Sequence, residues 1–498
     1  MTTNTLSLKP LVKILSKGLL FILTGILLCY SAFAQESGID KFLKDRMRER
    51  NIPGLQLAVV RNGEIVKLGN YGLANVQDSI PVTTKSVFTL NSITKAFVGV
   101  AIMQLVEAGK LDLSKPASTY LQDLPEAWKT VTTRQLLSHT SGIPDIVDED
   151  VNLISPEGEE ASWKKVQTLP VDFKPGERFR YNQTNYLLLG RIIDTLSGMP
   201  FAEFITKEQL QLVGMPNTIR AGFGGSGDVI ANSAGGYRSR KGKLANLYFT
   251  LPPSLHTAAG MHSTAREMAS WIIGLQNKKI LKKESSLASL WEPAILSNGK
   301  TGGFSRLLNG YAAGWPIAVR EVHPAAAAVG GNRSAVFVYP KDNLSIIVLT
   351  NLMGAFPDSF MDELAGYYIP DMKESNGFGL SPSIKLLRTA LERSGYKNAI
   401  SEVKKLKKAD KAFNLPEPEV NDWGYALVKQ NRMGDALEIF KLNVFMYPNS
   451  GNAFDSLGET YAAMGDKVQA IKNYERAVEL NPKNDNAIAV LKHLRSIK

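Results

Sequence analysis

The stretch FTLNSITKAFVG, residues 88–99, places a serine and a lysine three positions apart in an otherwise apolar segment. Positions i and i+3 share one face of a helix, so the Ser92 hydroxyl and the Lys95 amine can meet there. Burial among apolar side chains lowers the pKa of a lysine towards that of a usable base, and a serine hydroxyl is activated when such a base takes its proton. The alternative interpretation is an N-cap serine followed by a surface lysine.

The spacing alone does not separate these interpretations. Five S-x-x-K tetrads occur in the chain, and they begin at Ser92, Ser162, Ser297, Ser394 and Ser401. The first differs from the others because the residues from 92 to 109 are nearly all apolar and end at Gly109, which predicts a buried helix. A serine at the start of that helix would lie where free backbone N–H groups favour developing negative charge.

The first 34 of the 498 residues differ in character from the rest. Three lysines without any acidic residue are followed by the apolar run LLFILTGILLCY and then by Ala32-Phe33-Ala34. This order is typical of a secretory signal peptide cut after Ala34, and it predicts a periplasmic or secreted protein without a stable membrane anchor. Two alternatives stay open: an uncleaved anchor, for which the apolar run is short, and a lipid on Cys29.

Composition excludes several classes of chemistry. Cys29 is the only cysteine, so the mature protein would have none, which excludes thiol catalysis and thiolate metal sites. The five histidines show no H-E-x-x-H pattern, and no phosphate loop or dinucleotide fingerprint occurs, so we expect no cofactor and no metal. The formal charge of +11, or +8 without the three leader lysines, is spread along the chain and predicts no nucleic-acid partner.

Residues 35–370 are predicted to form one α+β domain. Two hairpins are indicated by apolar runs around short polar turns, GLQLAVV with EIVKLGNYG (54–60 and 64–72) and SAVFVYP with LSIIVLTN (334–340 and 344–351). The first turn contains Asn62-Gly63, a typical two-residue hairpin sequence. Strands at both ends with helices between them predict that the terminal strands share one antiparallel sheet.

The C-terminal part of the chain carries an internal repeat. Residues 371–417 are predicted as a linker and helical connector, and a period of 34 appears over 418–498. The matching positions are Trp423 with Leu457, Gly424 with Gly458, Ala436 with Ala470, Phe440 with Tyr474, and Pro448 with Pro482. This pattern resembles tetratricopeptide repeats, an all-α module whose small residues allow close helix packing. Such a module usually binds a peptide or protein, and bracing the first domain is the open alternative.

Three further stretches give the Ser92 tetrad its context. LLSHTSGIPD at 136–145 is a polar turn, FKPGERFRYNQTNYLLLGRIID at 173–194 places Tyr181 just before an apolar helix, and AVGGNRSAVFVYPKDNLSIIVLTN at 328–351 opens with two glycines. Together and in this order the four stretches resemble the serine β-lactamase and penicillin-binding superfamily. The resemblance is greatest to its class C-like branch of carboxylesterases, D-amino-acid peptidases and β-lactamase-related hydrolases, and it spans roughly 38–370.

The resemblance implies a β-lactamase-like fold, an antiparallel sheet flanked by helices with an all-helical subdomain, and it implies roles for single residues. Ser92 matches the acylated nucleophile and Lys95 the lysine of the S-x-x-K motif. Tyr181 matches the tyrosine of Y-x-N, which shuttles the proton between nucleophile and leaving group. A tyrosinate at this position would need a cation to hold its pKa down, and Lys95 is the candidate.

The third letter of Y-x-N falls on Gln183, whose side chain is one methylene longer than that of the family's asparagine. Its amide is still able to donate a hydrogen bond to substrate, with a different reach. Asn182 or Asn185 is the alternative for this contact.

The sequence departs from the family at the third motif, K-T-G or H-x-G on the strand beside the serine. Alignment on Gly330-Gly331 puts Ala328 where the cation belongs. The implied oxyanion hole uses the main-chain N–H groups of Ser92 and Gly331, so the change leaves it intact, and Gly330 lets a substrate approach the strand closely. The missing cation predicts weaker recognition of a substrate carboxylate and weaker support of Tyr181.

Two residues are candidates to replace that cation at the substrate-binding site. His323 lies upstream in the run HPAAAAVGG, and Arg333 lies just beyond the glycines; for each, an ordinary surface position is the alternative. A literal Lys300-Thr301-Gly302 has no strand pattern around it and is interpreted as a loop. His139 would be the base of a Ser-His arrangement, but the resemblance makes its stretch a structural turn near the site.

These residues predict a serine hydrolase that acts through an acyl-enzyme on esters or D-amino-acid-type peptides. Two alternatives stay open. One is a catalytically impaired β-lactamase-fold protein that binds a protein partner through its repeats. The other is a β-lactamase or a D,D-carboxypeptidase; the altered second and third motifs argue against a dedicated lactamase, and the carboxypeptidase would need a cation for the substrate carboxylate.

Overall fold

The structure is a computed structural model that describes residues 38–225, 227–240, 243–248, 250–305, 307–374, 382–429, 432–482 and 484–496. The predicted signal peptide, with Cys29, lies outside these residues. The chain divides into two compact units, with the boundary between Lys373 and Glu374. Among the described residues, no helix is both long and apolar enough to cross a membrane.

An eight-stranded sheet with antiparallel pairing forms the centre of the first unit. Its strands, in spatial order, are Ile80–Pro81, Glu64–Asn75, Gly54–Arg61, Leu344–Thr350, Ser334–Tyr339, Ala325–Gly330, Pro316–Ala318 and Gly310–Tyr311. The first strand of the chain pairs with one of the last, with Leu55 opposite Thr350. The prediction that the terminal strands share one antiparallel sheet is therefore confirmed.

Both predicted hairpins form, and their turns explain why. Asn62 and Gly63 have φ angles of 52° and 78°, the left-handed backbone that a tight two-residue turn between twisted strands needs. The second hairpin turns through Asn343, whose φ is 48°. Alternate residues of its strands pack into two different hydrophobic cores, with Val336 in one and Phe337 in the other. Because both faces of these strands are buried, their sequences are continuous apolar runs.

Helices cover both faces of the sheet. The α-helices of this unit span residues 38–50, Thr94–Glu107, Thr133–Leu137, Glu159–Val166, Gln183–Ser197, Phe201–Ile205, Gln211–Val213, Pro216–Ala221, His256–Ala259, Ala265–Gln276, Glu284–Trp291, Met361–Ala365 and Pro370–Glu374. Short strands form two further pairings, Tyr237–Arg240 with Lys243–Asn246 and Leu352–Met353, and Phe88–Thr89 with His262–Ser263. Helix 38–50 packs in the core of Phe337, and Thr94–Glu107 packs in the core of Val336.

The helix predicted over 92–109 begins as a 3-10 turn at Asn91–Ile93 and continues as Thr94–Glu107. Nearly all of its residues are buried. The chain leaves it at Gly109, whose φ of 69° suits a helix end. Close approach to the chain at Ala313 depends on Gly99, where an added Cβ would lie 2.0 Å from a carbonyl oxygen.

The second unit is all-helical within its described residues. Its helices are Pro382–Ser394, Ala399–Ala409, Glu417–Lys429, Met433–Met446, Gly451–Ala463, Lys467–Leu480 and Asp485–Ser496. An added Cβ would lie 2.6 Å from the Phe440 ring at Gly424 and 3.1 Å from the Tyr474 ring at Gly458, so the same small-to-aromatic contact recurs after 34 residues. Ile384 shares a core with these repeats, and the connector helices therefore extend the stack.

Candidate active site

Ser92 lies in the 3-10 turn that precedes the buried helix. Its neighbour Asn91 has a φ of 49°, and the Thr94 hydroxyl donates a 2.7 Å hydrogen bond to the carbonyl of Asn91. The same hydroxyl accepts a 3.1 Å bond from the backbone N–H of Met261. The turn is thus held from both sides, and the Ser92 side chain is left half-buried at the end of a rigid helix.

Lys95 is completely buried, one helical turn after the serine. Its amine donates to the side-chain oxygen of Gln183 at 2.8 Å and to the carbonyl of Ala258 at 2.9 Å. It also lies 4.7 Å from the ring centre of Tyr181. Burial lowers the pKa of Lys95 to about 7, against the opposing effect of the Asp145 carboxylate. Near neutral pH a large fraction of this amine is therefore an unprotonated base.

Tyr181 lies next to the serine, with its phenol close enough to the Ser92 hydroxyl for the two to interact. Burial raises the pKa of Tyr181 well above 10; the interaction with Ser92 opposes this rise, and the Asp145 charge adds to it. A tyrosinate would need a cation to hold this pKa down, and Lys95 is the candidate. Burial acts in the opposite direction and favours the neutral phenol.

Gln183 opens the helix Gln183–Ser197 and reaches Lys95, whereas the two neighbouring asparagines are used for structure. The side chain of Asn182 caps this helix by accepting from the N–H of Asn185, and it donates to the carbonyl of Ile143. Asn185 is fully buried and accepts a 2.7 Å bond from the Ser141 hydroxyl. Neither asparagine is placed to contact a substrate, so that alternative is corrected.

The strand Ala325–Gly330 ends directly against the serine turn. An added Cβ at Gly330 would lie 1.9 Å from the carbonyl oxygen of Leu90 and 3.2 Å from the backbone nitrogen of Ser92. Gly331 follows with a φ of 55°. This contact brings the two backbone segments of the predicted oxyanion hole together. Ala328, two residues before Gly330, is buried in the same core as the serine helix and carries no charge.

His323 is not at the site. Its ring nitrogens lie 2.8 Å from a carboxylate oxygen of Asp342 and 2.7 Å from one of Asp371. The extended strand Ala325–Gly330 separates it from the serine turn, and at about 3.3 Å per residue this places the two roughly 20 Å apart. That strand pairs with its neighbour in a regular register, without a bulge that would move His323 towards the serine. The prediction of His323 as a substrate-binding residue is therefore corrected.

Arg333 is buried rather than on the surface. Its backbone N–H donates to the carbonyl of Gly330, and its guanidinium lies against the backbone at Gly236. Burial lowers the pKa of Arg333 to about 10. The surface alternative is therefore wrong, while its predicted contact with substrate stays a prediction.

The Lys300-Thr301-Gly302 stretch is a loop, as interpreted from the sequence, and not part of the sheet beside Ser92. Its one ladder contact is an isolated bridge from Thr301 to Ile295. The loop nevertheless approaches the site, since an added Cβ at Gly302 would lie 2.5 Å from the Cβ of Phe179. That approach was not foreseen.

Two buried titratable residues stand behind the site. His139 has a φ of 56°, and its Nδ1 accepts a 3.2 Å bond from the N–H of Asn182. Burial, with the charge of Lys95, lowers the pKa of His139 well below 6.5, so its ring is neutral. Asp145 accepts a 3.0 Å bond from the N–H of Gln183, and burial raises the pKa of this carboxyl. Sequence reasoning missed Asp145, although it ends the motif LLSHTSGIPD.

Aromatic rings surround Tyr181, and no pattern in the sequence predicted this. Its ring lies 4.4 Å from His139, 5.0 Å from Phe304 and 6.3 Å from Tyr311, measured between ring centres. Phe179 also contacts Tyr311 at 5.5 Å. The wall of the site around the phenol is therefore apolar.

Comparison with known proteins agrees with this geometry. A family model described as Beta-lactamase matches residues 39–366. The chain belongs to the beta-lactamase family. Its fold is that of a family of serine hydrolases, as the sequence predicted. A second model, Tetratricopeptide repeat, matches residues 451–484 and confirms the repeat prediction.

Three relatives illustrate the relationship. Protein flp of Staphylococcus aureus (strain N315) is 27% identical over 339 residues, 66% of this chain and 65% of its own length, so the chain spans about two thirds of that relative. The putative penicillin-binding protein PbpX of Bacillus subtilis is 31% identical over 227 residues, 46% of this chain and 56% of its own. The penicillin binding protein from Bacillus halodurans is 26% identical with a TM-score of 0.52, covering 63% of this chain and 97% of that one.

Proposed function

We propose that the protein is an exported serine hydrolase that cleaves small esters or D-amino-acid-type peptides through an ester formed on Ser92. The observation that carries this proposal is the state of Lys95. Lys95 lies three residues after the serine, and its amine is fully buried with a pKa of about 7. The amine is held by two hydrogen-bond acceptors, Gln183 and the carbonyl of Ala258. A lysine in that state is a suitable general base at neutral pH.

In the first step the Ser92 oxygen attacks the substrate carbonyl carbon, and the neutral Lys95 amine takes the hydroxyl proton. The carbonyl oxygen becomes an oxyanion, which the N–H groups of Ser92 and Gly331 stabilise. The tight packing of Gly330 on the serine turn supports this assignment, because donors fixed in advance need no reorganisation during the reaction.

In the second step the tetrahedral intermediate collapses. The Tyr181 phenol gives its proton to the leaving alcohol or amine and regains one from the Lys95 ammonium, so the bond to the leaving group breaks and a neutral product departs. The phenol suits this role because its raised pKa keeps it protonated. Water then attacks the Ser92 ester by the same route in reverse, which releases the acid and restores the serine.

The substrate assignment rests on the third motif. Ala328 is uncharged, and His323 is bound to Asp342 and Asp371 far from the serine, so neither supplies a cation for a substrate carboxylate. The remaining candidate, Arg333, is buried with its guanidinium against Gly236. This favours esters and peptides over β-lactams or the free carboxyl terminus that a D,D-carboxypeptidase removes. The buried Lys95 amine, 4.7 Å from the ring centre of Tyr181 and three residues after Ser92, argues against an impaired protein that only binds.

The test is hydrolysis of p-nitrophenyl acetate and of D-alanine p-nitroanilide by the chain from Gln35 onwards. We expect turnover of at least one of them and a loss of about a thousandfold or more in Ser92→Ala. Ser401→Ala, in an exposed S-x-x-K tetrad of the second unit, is the matched control and should behave as wild type. Equal rates in wild type and Ser92→Ala would refute the proposal. N-terminal sequencing of exported protein that finds Gln35 as the first residue would support the periplasmic or secreted localisation.

A further inference from the structure

Phe304 is the exposed member of the aromatic group around Tyr181. Its ring lies 5.0 Å from that of Tyr181, 5.5 Å from that of Phe179 and 5.9 Å from that of Tyr311. The other three are half-buried or buried, whereas Phe304 is 45% exposed. A rigid aromatic face open to solvent next to a phenol that acts in catalysis is a surface on which a ligand can bury apolar area.

The loop that carries Phe304 is fitted to this place. An added Cβ at Gly302 would lie 2.5 Å from the Phe179 side chain, and one at Gly303 would lie 2.2 Å from the carbonyl oxygen of Leu308. Larger residues would push the loop away from the aromatic group. The position of Phe304 therefore follows from the close packing of the two glycines directly before it.

Tyr181 fixes which part of a substrate meets Phe304. The proposed function makes the phenol the proton donor to the leaving atom, so the group attached to that atom must lie beside Tyr181. Among the rings that contact Tyr181, the Phe304 ring, 5.0 Å away between ring centres, is the exposed one, whereas His139 and Tyr311 are buried. On the sheet side of the site, the position where the family carries a cation holds the buried methyl group of Ala328.

We propose that Phe304 is a specificity-determining residue and that the natural substrates are esters or amides with a neutral, apolar leaving group, such as an aryl or long alkyl alcohol. This inference rests on the proposed acyl-enzyme function and names its substrate class. A leaving group that carries a carboxylate would lose its hydration without gaining a cation at Ala328, so the site disfavours it. An aromatic leaving group would stack against Phe304.

The experiment compares kcat/KM for the hydrolysis of three acetate esters. The first is a phenyl acetate whose ring carries a neutral methyl-ester substituent, the second is the phenyl acetate whose ring carries a free carboxylate at that position, and the third is methyl acetate. We expect wild type to prefer the neutral aryl ester over the carboxylate ester by at least tenfold. In Phe304→Ala the ratio of aryl to methyl ester activity should fall about fivefold to tenfold, mainly through KM. Ala328→Lys should raise the activity on the carboxylate ester relative to its neutral partner.

Phe445→Ala, which removes a phenylalanine of similar exposure (47%) in the second unit, is the control and should leave the ratio unchanged. A wild-type preference for the carboxylate ester would overturn the inference. So would an equal loss on aryl and methyl esters in Phe304→Ala, because Phe304 would then only position Tyr181. Absence of any Ser92 adduct with a small fluorophosphonate in wild type would instead refute the proposed function, and the inference with it.

Discussion

The buried amine of Lys95 donates a 2.8 Å hydrogen bond to the side-chain oxygen of Gln183, which lies 88 positions later in the chain. This bond joins the serine helix to the start of the helix Gln183–Ser197. It orients the amine, and it explains how a glutamine serves at a position where the family has an asparagine. The carbonyl of Ala258 is the second acceptor, so the amine is held from two elements.

The rate of Ser92 acylation should rise with pH and reach half of its maximum near pH 7. In the proposed mechanism the neutral form of Lys95 is the base. Burial lowers the pKa of Lys95 to about 7, so the active fraction increases as pH passes through that value. The measurement is the second-order rate of fluorophosphonate labelling from pH 5 to 9. A rate that falls over this range would contradict the assignment of Lys95 as the base.

Replacement of Gln183 by glutamate should move that pH profile upward. A carboxylate beside Lys95 favours the ammonium and raises its pKa, and a shift of about one unit or more is expected for an adjacent opposite charge. Labelling at pH 7 would then fall about tenfold, since one pKa unit corresponds to one factor of ten in the neutral fraction. Gln167→Glu, directly after the helix Glu159–Val166, is the control for an added charge. An unchanged midpoint in Gln183→Glu would show that Gln183 does not control the base.

The burial of Lys95 should also appear in the pH dependence of stability. The pKa of this amine is about 7 in the folded protein and 10.5 as its ordinary value. Between these values the unfolded chain binds more protons, so stability rises with pH at this position. Relative to Lys95→Met, wild type should gain about 1 kcal/mol of unfolding free energy per pH unit from pH 7 to 9. Urea unfolding at three pH values measures this, and a constant difference would contradict the lowered pKa.

Gly330→Ala should abolish labelling of Ser92 and lower the melting temperature. The new Cβ would lie 1.9 Å from the carbonyl oxygen of Leu90, so the strand or the serine turn must move. We expect a loss of labelling of about a hundredfold or more, since oxyanion donors act only when correctly placed. Gly434→Ala, with no atom within 4 Å of its added Cβ, is the control and should label as wild type. Normal labelling of Gly330→Ala would show that the contact is unnecessary.

Local patterns were sufficient to place the residues that share one element or one turn. The i, i+3 spacing put Ser92 and Lys95 on one helix face, and Asn62-Gly63 fixed a hairpin because few residues accept its backbone angles. The family resemblance brought in Tyr181 and Gln183. Each of these predictions depended on short-range geometry or on a motif of defined spacing.

Contacts between loops that are far apart in sequence could not be predicted from local patterns. His323 was a candidate because it is near the glycines in sequence, but a regular strand separates it from them, and it lies beyond the opposite end of that strand. Asp145 and Phe304 were missed because their roles depend on burial and on packing between elements, which no spacing encodes. The protonation state of Tyr181 was left open by the sequence for the same reason: desolvation raises its pKa most, and burial is a property of the whole fold.

The most direct test of the central claim is the intact mass of the chain from Gln35 after incubation with a fluorophosphonate at pH 8, in wild type and in Ser92→Ala. An activated serine at position 92 predicts one adduct on wild type and none on the variant. An adduct on both would mean that another serine is the nucleophile. No adduct on wild type would mean that Lys95 does not activate Ser92, and the hydrolase assignment would fail.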